Sequence, residues 1–271
     1  MKIAAVYALV EETTFKAAVR APLLEVLDLM HRLGFDGIEI NIPDPFKVDV
    51  TKLSKNLKNY GLELSAISTG LSYVNYGLSL THPSKEVRGK SIEFFIKYSE
   101  IASTIEGSNK VVIGLARGKS EGRQLNDVIQ LLKESIRVVL EKTENNGTIF
   151  LLEPINRYET DIINTIDEAL PLIKEYKRLK LLYDTYHMTI EDVSPYDAIL
   201  KADGHIGYVH VAENNRLAPG MGMLDWERIL YRLLRVGYND YVSIEAIPKP
   251  SYEEMLRIGI RTLRSLLPKV I

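Results

Sequence analysis

Residues 226–246 read WERILYRLLRVGYNDYVSIEA. In the first part, Ile229, Leu233 and Val236 recur at helical spacing among charged neighbours, which marks an amphipathic helix with one buried face. Gly237 follows, where such a helix stops. The chain then turns apolar and β-prone as YVSIEA, with the acid Glu245 near its end. A helix feeding a short apolar strand is half of an α/β repeat, and its recurrence elsewhere sets the fold.

The pattern recurs along the whole chain. The other candidate strands are IAAVYAL at 3–9, DGIEIN at 36–41, LELSAIS at 62–68, KVVIGLA at 110–116, TIFLLE at 148–153, KLLYD at 180–184 and IGYVHV at 206–211. Amphipathic stretches such as APLLEVLDLMHRLG (21–34) and LNDVIQLLKESIRVVLEKTENNG (125–147) lie between them, and Gly34, Gly61 and Gly147 stand at helix stops. Eight strands, each followed by a helix or helical loop, predict a closed (β/α)8 TIM barrel. Several strands are apolar throughout, as buried parallel strands are. An open doubly wound sheet needs a glycine-rich phosphate loop after its first strand. The first crossover, VEETTFKAAVRAP at 10–22, contains no glycine. No repeat, proline-rich linker or low-complexity run divides the chain, so residues 1–271 read as one domain.

Composition excludes several classes. The 271 residues carry a formal charge of -2, which gives no reason to expect nucleic acid or an acidic membrane surface as partner. No apolar run is long enough to span a bilayer. The opening MKIAAVYAL lacks an export signal and reads as the first strand, so a cytoplasmic location is expected. Cysteine is absent, which removes disulfides and thiolates and leaves carboxylate, imidazole and amide oxygen to hold any metal.

In a barrel of this type the C-terminal strand ends carry the chemistry. In the second half those ends are Glu153, Asp184, His210 and Glu245. Burying several carboxylates together is costly unless a cation neutralises them. Three carboxylates and an imidazole suit one divalent ion, Mn²⁺, Mg²⁺ or Co²⁺, with Zn²⁺ compatible as well. His187, three residues past Asp184, is either a ligand or a group that meets a substrate oxygen. Arg216, in the loop HVAENNRLAPGMGMLDW, is placed to hold an anionic oxygen. Glu159 in EPINRYET is placed to accept from a sugar hydroxyl, while Arg157 either orients a carboxylate or stitches the loop. Tyr7, near the end of the first strand, is taken as a further substrate-facing residue. Glu39 ends the second strand, but strands 3 and 4 end in STG and GLARG without imidazole or carboxylate. One metal on one side of the barrel, with the opposite wall left to substrate, follows from that asymmetry. His31, His82 and His205 read as structural or surface residues.

LEPINRYE, DTYHMTIED, HVAENNRLAPGMGMLDW and SIEAIP, together with LGFDGIEI near residue 33, resemble the ketose 3-epimerases of the D-tagatose and D-psicose type, within the xylose-isomerase-like TIM barrels. The likeness is strongest from about 148 to 246. It implies one divalent metal, commonly Mn²⁺ or Co²⁺, on Glu153, Asp184, His210 and Glu245. It implies substrate contacts from Glu159, His187 and Arg216, with His187 and Arg216 beside the ketose carbonyl oxygen. It further implies 3-epimerisation through a cis-enediolate, with Glu153 and Glu245 as the two proton carriers and no redox cofactor. A homodimer or homotetramer is the expected assembly. Two substrate classes are open: a neutral ketohexose such as D-tagatose or D-fructose, or a keto-sugar acid of the 5-keto-L-gluconate or D-tagaturonate kind. Arg117 and Lys119 after strand 4, and Lys249 in AIPKP, would favour the acid. Aldose–ketose or hydroxypyruvate-type isomerisation, and a sugar-binding barrel without catalysis, are the alternative functions.

Overall fold

A computed structural model describes residues 1–270. All eight predicted strands are present, as β1 (Lys2–Ala8), β2 (Gly37–Asn41), β3 (Glu63–Ser68), β4 (Lys110–Ile113), β5 (Ile149–Leu152), β6 (Leu179–Asp184), β7 (Ile206–Val211) and β8 (Tyr241–Ile244). They pair in sequence order, all parallel, and β1 closes the ring against β8. Around them run α1 (Leu23–Leu33), α2 (Val50–Asn59), α3 (Gly70–Tyr76), α4 (Lys85–Thr104), α5 (Leu125–Lys142), α6 (Ile166–Glu175), α7 (Thr185–Glu191), α8 (Pro195–Lys201), α9 (Trp226–Arg235) and α10 (Tyr252–Val270). The expected (β/α)8 architecture is the one observed. None of the described helices is long and apolar enough to cross a membrane.

Local sequence explains the helix ends. Asp225 accepts from the Arg228 amide at 3.0 Å and starts α9, while Thr165 and Glu168 form a reciprocal capping box on α6. Gly34 stops α1 in the left-handed conformation, at φ 80°. Ile229, Leu230 and Leu233 of α9 are buried.

Alternation along the strands then decides what enters the bore. Ala4, Ala66, Val112, Leu151, Leu182, Tyr208 and Tyr241 pack there as an apolar plug. Two residues further along the same strands lie Val6, Ser68, Gly114, Glu153, Asp184, His210 and Ser243, and Glu245 follows Ser243 by two. The plug is the floor of the site, and the polar residues stand on it at the C-terminal mouth. The same parity corrects one expectation. Val6 pairs with the inward Glu39, so Tyr7 points outward, where its hydroxyl donates to the Ala21 carbonyl at 3.0 Å. Tyr7 does not line the cavity over the plug.

Candidate active site

Glu153, Asp184, His187, His210, Arg216 and Glu245 are all buried, each no more than 8% exposed. Strand ends β5 to β8 bring the four expected ligands to one wall, with Asp184 and His210 direct neighbours in the ladder. Each of Glu153, Asp184, His187 and Glu245 offers one ligand atom within 4.8 Å of the others. His210 joins the same cluster: its Nδ1 lies 3.3 Å from Glu153 Oε1, 3.5 Å from Glu245 Oε2 and 3.8 Å from Asp184 Oδ2. Five groups therefore surround a space that the expected quartet assigned to four, and two imidazoles compete for one role.

The stretch Asp184–His187 has a simple local logic. Asp184 is the N-cap of α7; its Oδ1 accepts from the amides of Tyr186 at 2.7 Å and His187 at 3.2 Å. Its Oδ2 faces inward, accepting from Arg216 Nη1 at 3.2 Å. One carboxylate thus fixes the helix with one oxygen and serves the cavity with the other. The cap also orients the turn that carries His187 into the cavity.

Arg216 stands at φ 64°, a left-handed conformation uncommon for a residue with a Cβ. Its amide donates to the Glu213 carbonyl at 2.9 Å, and its carbonyl accepts from Ile247 at 2.8 Å. The guanidinium lies over the Tyr186 ring, 4.4 Å from its centre, and donates to both Asp184 and Glu245. Glu213, which sequence reasoning passed over, holds this loop. It is buried and accepts from the amides of Gly220 at 2.7 Å and Leu224 at 3.0 Å, and from Trp226 Nε1 at 2.7 Å. The available signal was a lone acid just past a strand, before a Gly-Pro loop that ends in the only tryptophan. Glu213→Ala leaves the buried Trp226 Nε1 and the two part-buried amides of Gly220 and Leu224 without their acceptor. It is expected to cost about 3 kcal/mol and to make the 213–226 loop the first segment cut in limited proteolysis; an unchanged melting midpoint would contradict this.

Glu39 closes the cluster from the other side of the barrel. Both its oxygens lie 3.0 Å from His210 Nε2, and Ser68 donates to it. Glu159 is half-buried and accepts from Asn156 Nδ2 at 2.9 Å. Gly114 leaves room for Glu153, since a Cβ there would come within 2.7 Å of Glu153 Oε2. Arg117, proposed to attract a sugar acid, is fully buried and occupied: it donates to the carbonyls of Glu153 at 2.6 Å, Ile162 at 3.2 Å and Ile163 at 3.0 Å. Burial pulls its guanidinium down to about 10. Arg157 stitches its loop to Glu191 at 2.9 Å. Lys119 and Lys249 do not line the cavity.

Burial pushes the Glu153 carboxyl up to about 7, against the pull of His210. Burial also raises Asp184 despite Arg216. Glu245 is lowered because His210 and Arg216 outweigh its burial. Burial, with Arg216 beside it, holds His187 well below the usual histidine range, so it is neutral. For His210 burial is outweighed by Glu39, Glu245 and Glu153, which hold it well above that range. Buried carboxylates this close, on a site rich in oxygen with imidazole nitrogen, are the donor set a divalent cation takes.

A pH dependence follows. With a chelator present, folded Glu153 keeps a proton that the unfolded chain has released between its ordinary 4.5 and about 7. His210 likewise keeps its proton above 6.5. Below 6.5 neutral His187 opposes this, because the unfolded imidazole is protonated there; above 6.5 that opposition is gone, the fold binds more protons than the unfolded chain, and stability falls as pH rises. Added Mn²⁺ needs deprotonated ligands, so its stabilisation grows over the same range. Melting midpoints at three pH values above 6.5, with EDTA and with Mn²⁺, test both slopes.

The cavity over the plug is narrow, with a volume of about 30 Å³, and is lined by Glu153, His187, His210, Arg216 and Glu245 together with Phe15, Asn41, Ser68, Thr69, Leu115, Ile155 and Glu159. A separate groove between Leu23, Asp44, Lys52 and Tyr76 touches none of the cluster residues.

Residues 27–266 match the xylose isomerase-like TIM barrel family. The chain is 39% identical to a D-psicose 3-epimerase of Ruminiclostridium cellulolyticum, over 81% of this chain and 76% of the relative. It is 31% identical to an L-ribulose 3-epimerase of Methylomonas sp., over 87% and 82%. The crystal structure of a 3-keto-D-glucoside 4-epimerase from E. coli superposes with a TM-score of 0.83 at 25% identity, covering 98% of this chain and 99% of that one.

Proposed function

The chain belongs to the xylose isomerase-like TIM barrel family, alongside ketose 3-epimerases, and on that premise we propose that it is a divalent-metal-dependent 3-epimerase of a neutral ketose. The observation that carries the reading is the pair Glu153 and Glu245, two buried carboxylates set into one small cavity beside an imidazole and a guanidinium. Glu153, Asp184, His210 and Glu245 would hold the ion, Mn²⁺ in this reading. When bound, the cation acts as a Lewis acid that makes the proton beside the substrate carbonyl easier to remove.

The residues do the rest. One glutamate takes the C3 proton, and the electron pair moves onto the C2 oxygen, giving a cis-enediolate. His187 and Arg216 donate hydrogen bonds to that oxygen as its charge develops. The second glutamate returns a proton to C3 from the other side, which inverts the centre without any change in oxidation state. Glu159 and Asn41 supply polar contacts to sugar hydroxyls, and Phe15, Leu115 and Ile155 offer apolar surface to the carbon skeleton.

The neutral substrate is favoured by the cavity's charge. Among the residues lining it, Arg216 is the only lysine or arginine, and it already faces Asp184 and Glu245. Arg117 is committed to carbonyl groups. Among the residues lining the cavity, no lysine or arginine is left to receive a sugar carboxylate.

The test is incubation with Mn²⁺ in D2O of D-fructose, D-tagatose, a 3-keto-glucoside, D-tagaturonate and hydroxypyruvate, followed by NMR. Deuterium at C3 with formation of the C3 epimer of a neutral ketose is the expected result. Deuterium at C1 with an aldose product would establish the isomerase instead. Binding with no exchange anywhere in the panel would leave a sugar-binding barrel.

A further inference from the structure

The two proposed proton carriers lie beyond the last rungs of the sheet. Asp184 and His210 are paired within the ladder. Glu153 and Glu245 each lie one residue past it, after Leu152 and Ile244. Their amides reach back to the Ile113 and Val211 carbonyls, both at 3.2 Å. A carboxylate that must meet one carbon atom closely cannot hang from a loose strand end. Pro154 follows Glu153, and with no N–H it cannot donate a further rung. Something outside the ladder has to hold the Glu153 main chain.

We infer that Arg117 is a positioning residue for Glu153: it holds the strand end from which this carboxylate projects, so its loss silences one face of C3 and spares the other. The inference rests on the proposed epimerase reading and deepens it.

The guanidinium is placed for that task. Its Nη1 donates to the Glu153 carbonyl at 2.6 Å and to the Gly114 carbonyl at 3.3 Å. Nη2 and Nε donate to the successive carbonyls of Ile163 at 3.0 Å and Ile162 at 3.2 Å. Arg117 therefore ties the ends of β4 and β5 to the loop that returns from Glu153. That loop is shaped to meet it. Ile163 stands at φ 54°, a conformation that a β-branched residue adopts only where its surroundings impose it. The same Ile163 carbonyl accepts from the Ile155 amide at 3.3 Å. Arg117 is in turn pinned from behind. Its own carbonyl accepts from Thr81 Oγ1 at 2.7 Å, and that of Ala116 from the Leu80 amide at 2.9 Å.

The choice of side chain supports the role. Arg117 is fully buried, and all four of its side-chain hydrogen bonds go to main-chain carbonyls. Burying a cation without a paired acid is costly. Packing alone would be served by an apolar side chain of that volume. A rigid fork of donors fixes the angle as well as the place of each carbonyl it meets.

The test is directional. With Mn²⁺ in excess and in D2O, the ketose that the wild type turns over and its C3 epimer are each offered as starting material. Glu153→Gln shows which of the two presents its C3 hydrogen to Glu153. Arg117→Lys keeps the charge and loses the fork. From the epimer facing Glu153 it should slow exchange and inversion about 100-fold, with KM unchanged. From the epimer facing Glu245, that acid removes the proton, trades it with solvent and returns a deuteron to the same face. Deuterium should therefore enter C3 at the wild-type rate without inversion. Added to Glu153→Gln, Arg117→Lys should cause no further loss. Equal slowing from both epimers would reduce Arg117 to a general structural role, and no slowing from either would leave it none; each result overturns the inference.

Main-chain amide exchange reads the clamp without any substrate. In the wild type, the Glu153 and Ile155 amides should exchange as slowly as those of the β4–β5 ladder, although both lie outside it. Loop-like rates there would overturn the inference with no substitution made. In Arg117→Lys they should quicken about tenfold, while those of Asp184, His210 and Glu245 keep their rates. Quickening throughout the barrel would mark a general loss of stability and would count against the inference equally. If the clamp behaves as stated and no ketose exchanges, the epimerase reading falls while the hold on Glu153 stands.

Discussion

Glu245→Gln is expected to abolish proton exchange at C3 of the ketose, lowering the rate by at least about 10³–10⁴-fold. Glutamine keeps the volume of the side chain, and its carbonyl oxygen can still accept from Arg216, the present partner of Glu245. The cavity should therefore stay packed while the proton acceptor is lost. Glu153→Gln should reach a comparable loss, because each direction of epimerisation needs both carboxylates. The two variants need not fail alike. A variant that still washes deuterium into C3 without forming the epimer would show which carboxylate serves which face. Epimer formation near the wild-type rate in either variant would end the two-glutamate mechanism.

Arg216→Ala should produce two effects that metal separates. The guanidinium faces Asp184 and Glu245 in a buried setting. Burial by itself lowers its proton affinity, and these carboxylates more than restore it. Without it the two acids are left unpaired, a loss of about 3–5 kcal/mol. For a domain of this size that is about 10 °C in melting midpoint with EDTA present. Mn²⁺ should restore most of the midpoint, since it neutralises the same carboxylates, and should bind more tightly than to wild type. It should not restore turnover, because the donor to the developing oxyanion is gone; kcat should remain about 10²–10³-fold down. Arg216→Gly is the control for the backbone, since glycine suits φ 64°. Full recovery of kcat by Mn²⁺ in either variant would remove Arg216 from the chemistry.

The fold was legible because β/α alternation is a local property. Each strand carries its own apolar run and each helix its own face, so all eight strands fall within a few residues of their expected places. The ligand candidates were legible for a related reason. Glu153, Asp184, His210 and Glu245 each sit two residues beyond an inward plug or bore residue (Leu151, Leu182, Tyr208 and Ser243), and a period of two carries them inward as well. Tyr7 failed on that same period. One residue of parity separates it from Val6, and only the pairing with β2 shows which of the two is inside.

What stayed hidden was partnership at a distance. Glu39 looks like an ordinary strand-end acid until it is seen across the bore from His210, 171 residues away. Arg117 looks like a free cation until its carbonyl partners are counted around it. Asn156 reads as a loop residue, and nothing in the sequence says that its amide lies against His187. Local pattern tells which way a side chain points; it does not tell what waits there.

The bridge between Glu39 and His210 has a consequence for assembly. Glu39 comes from the second strand and His210 from the seventh, and they meet only once the ring has shut, with β1 seated on β8. A chain with an open seam would retain the carboxylates of β5, β6 and β8 but not the oriented imidazole. A cation that prefers the complete site therefore draws the barrel toward closure by mass action. Its signature would be slower amide exchange along the β1–β8 seam, far from the ion itself. Seen this way, the ion that serves the chemistry also acts as a fastener, selecting chains whose two ends have met.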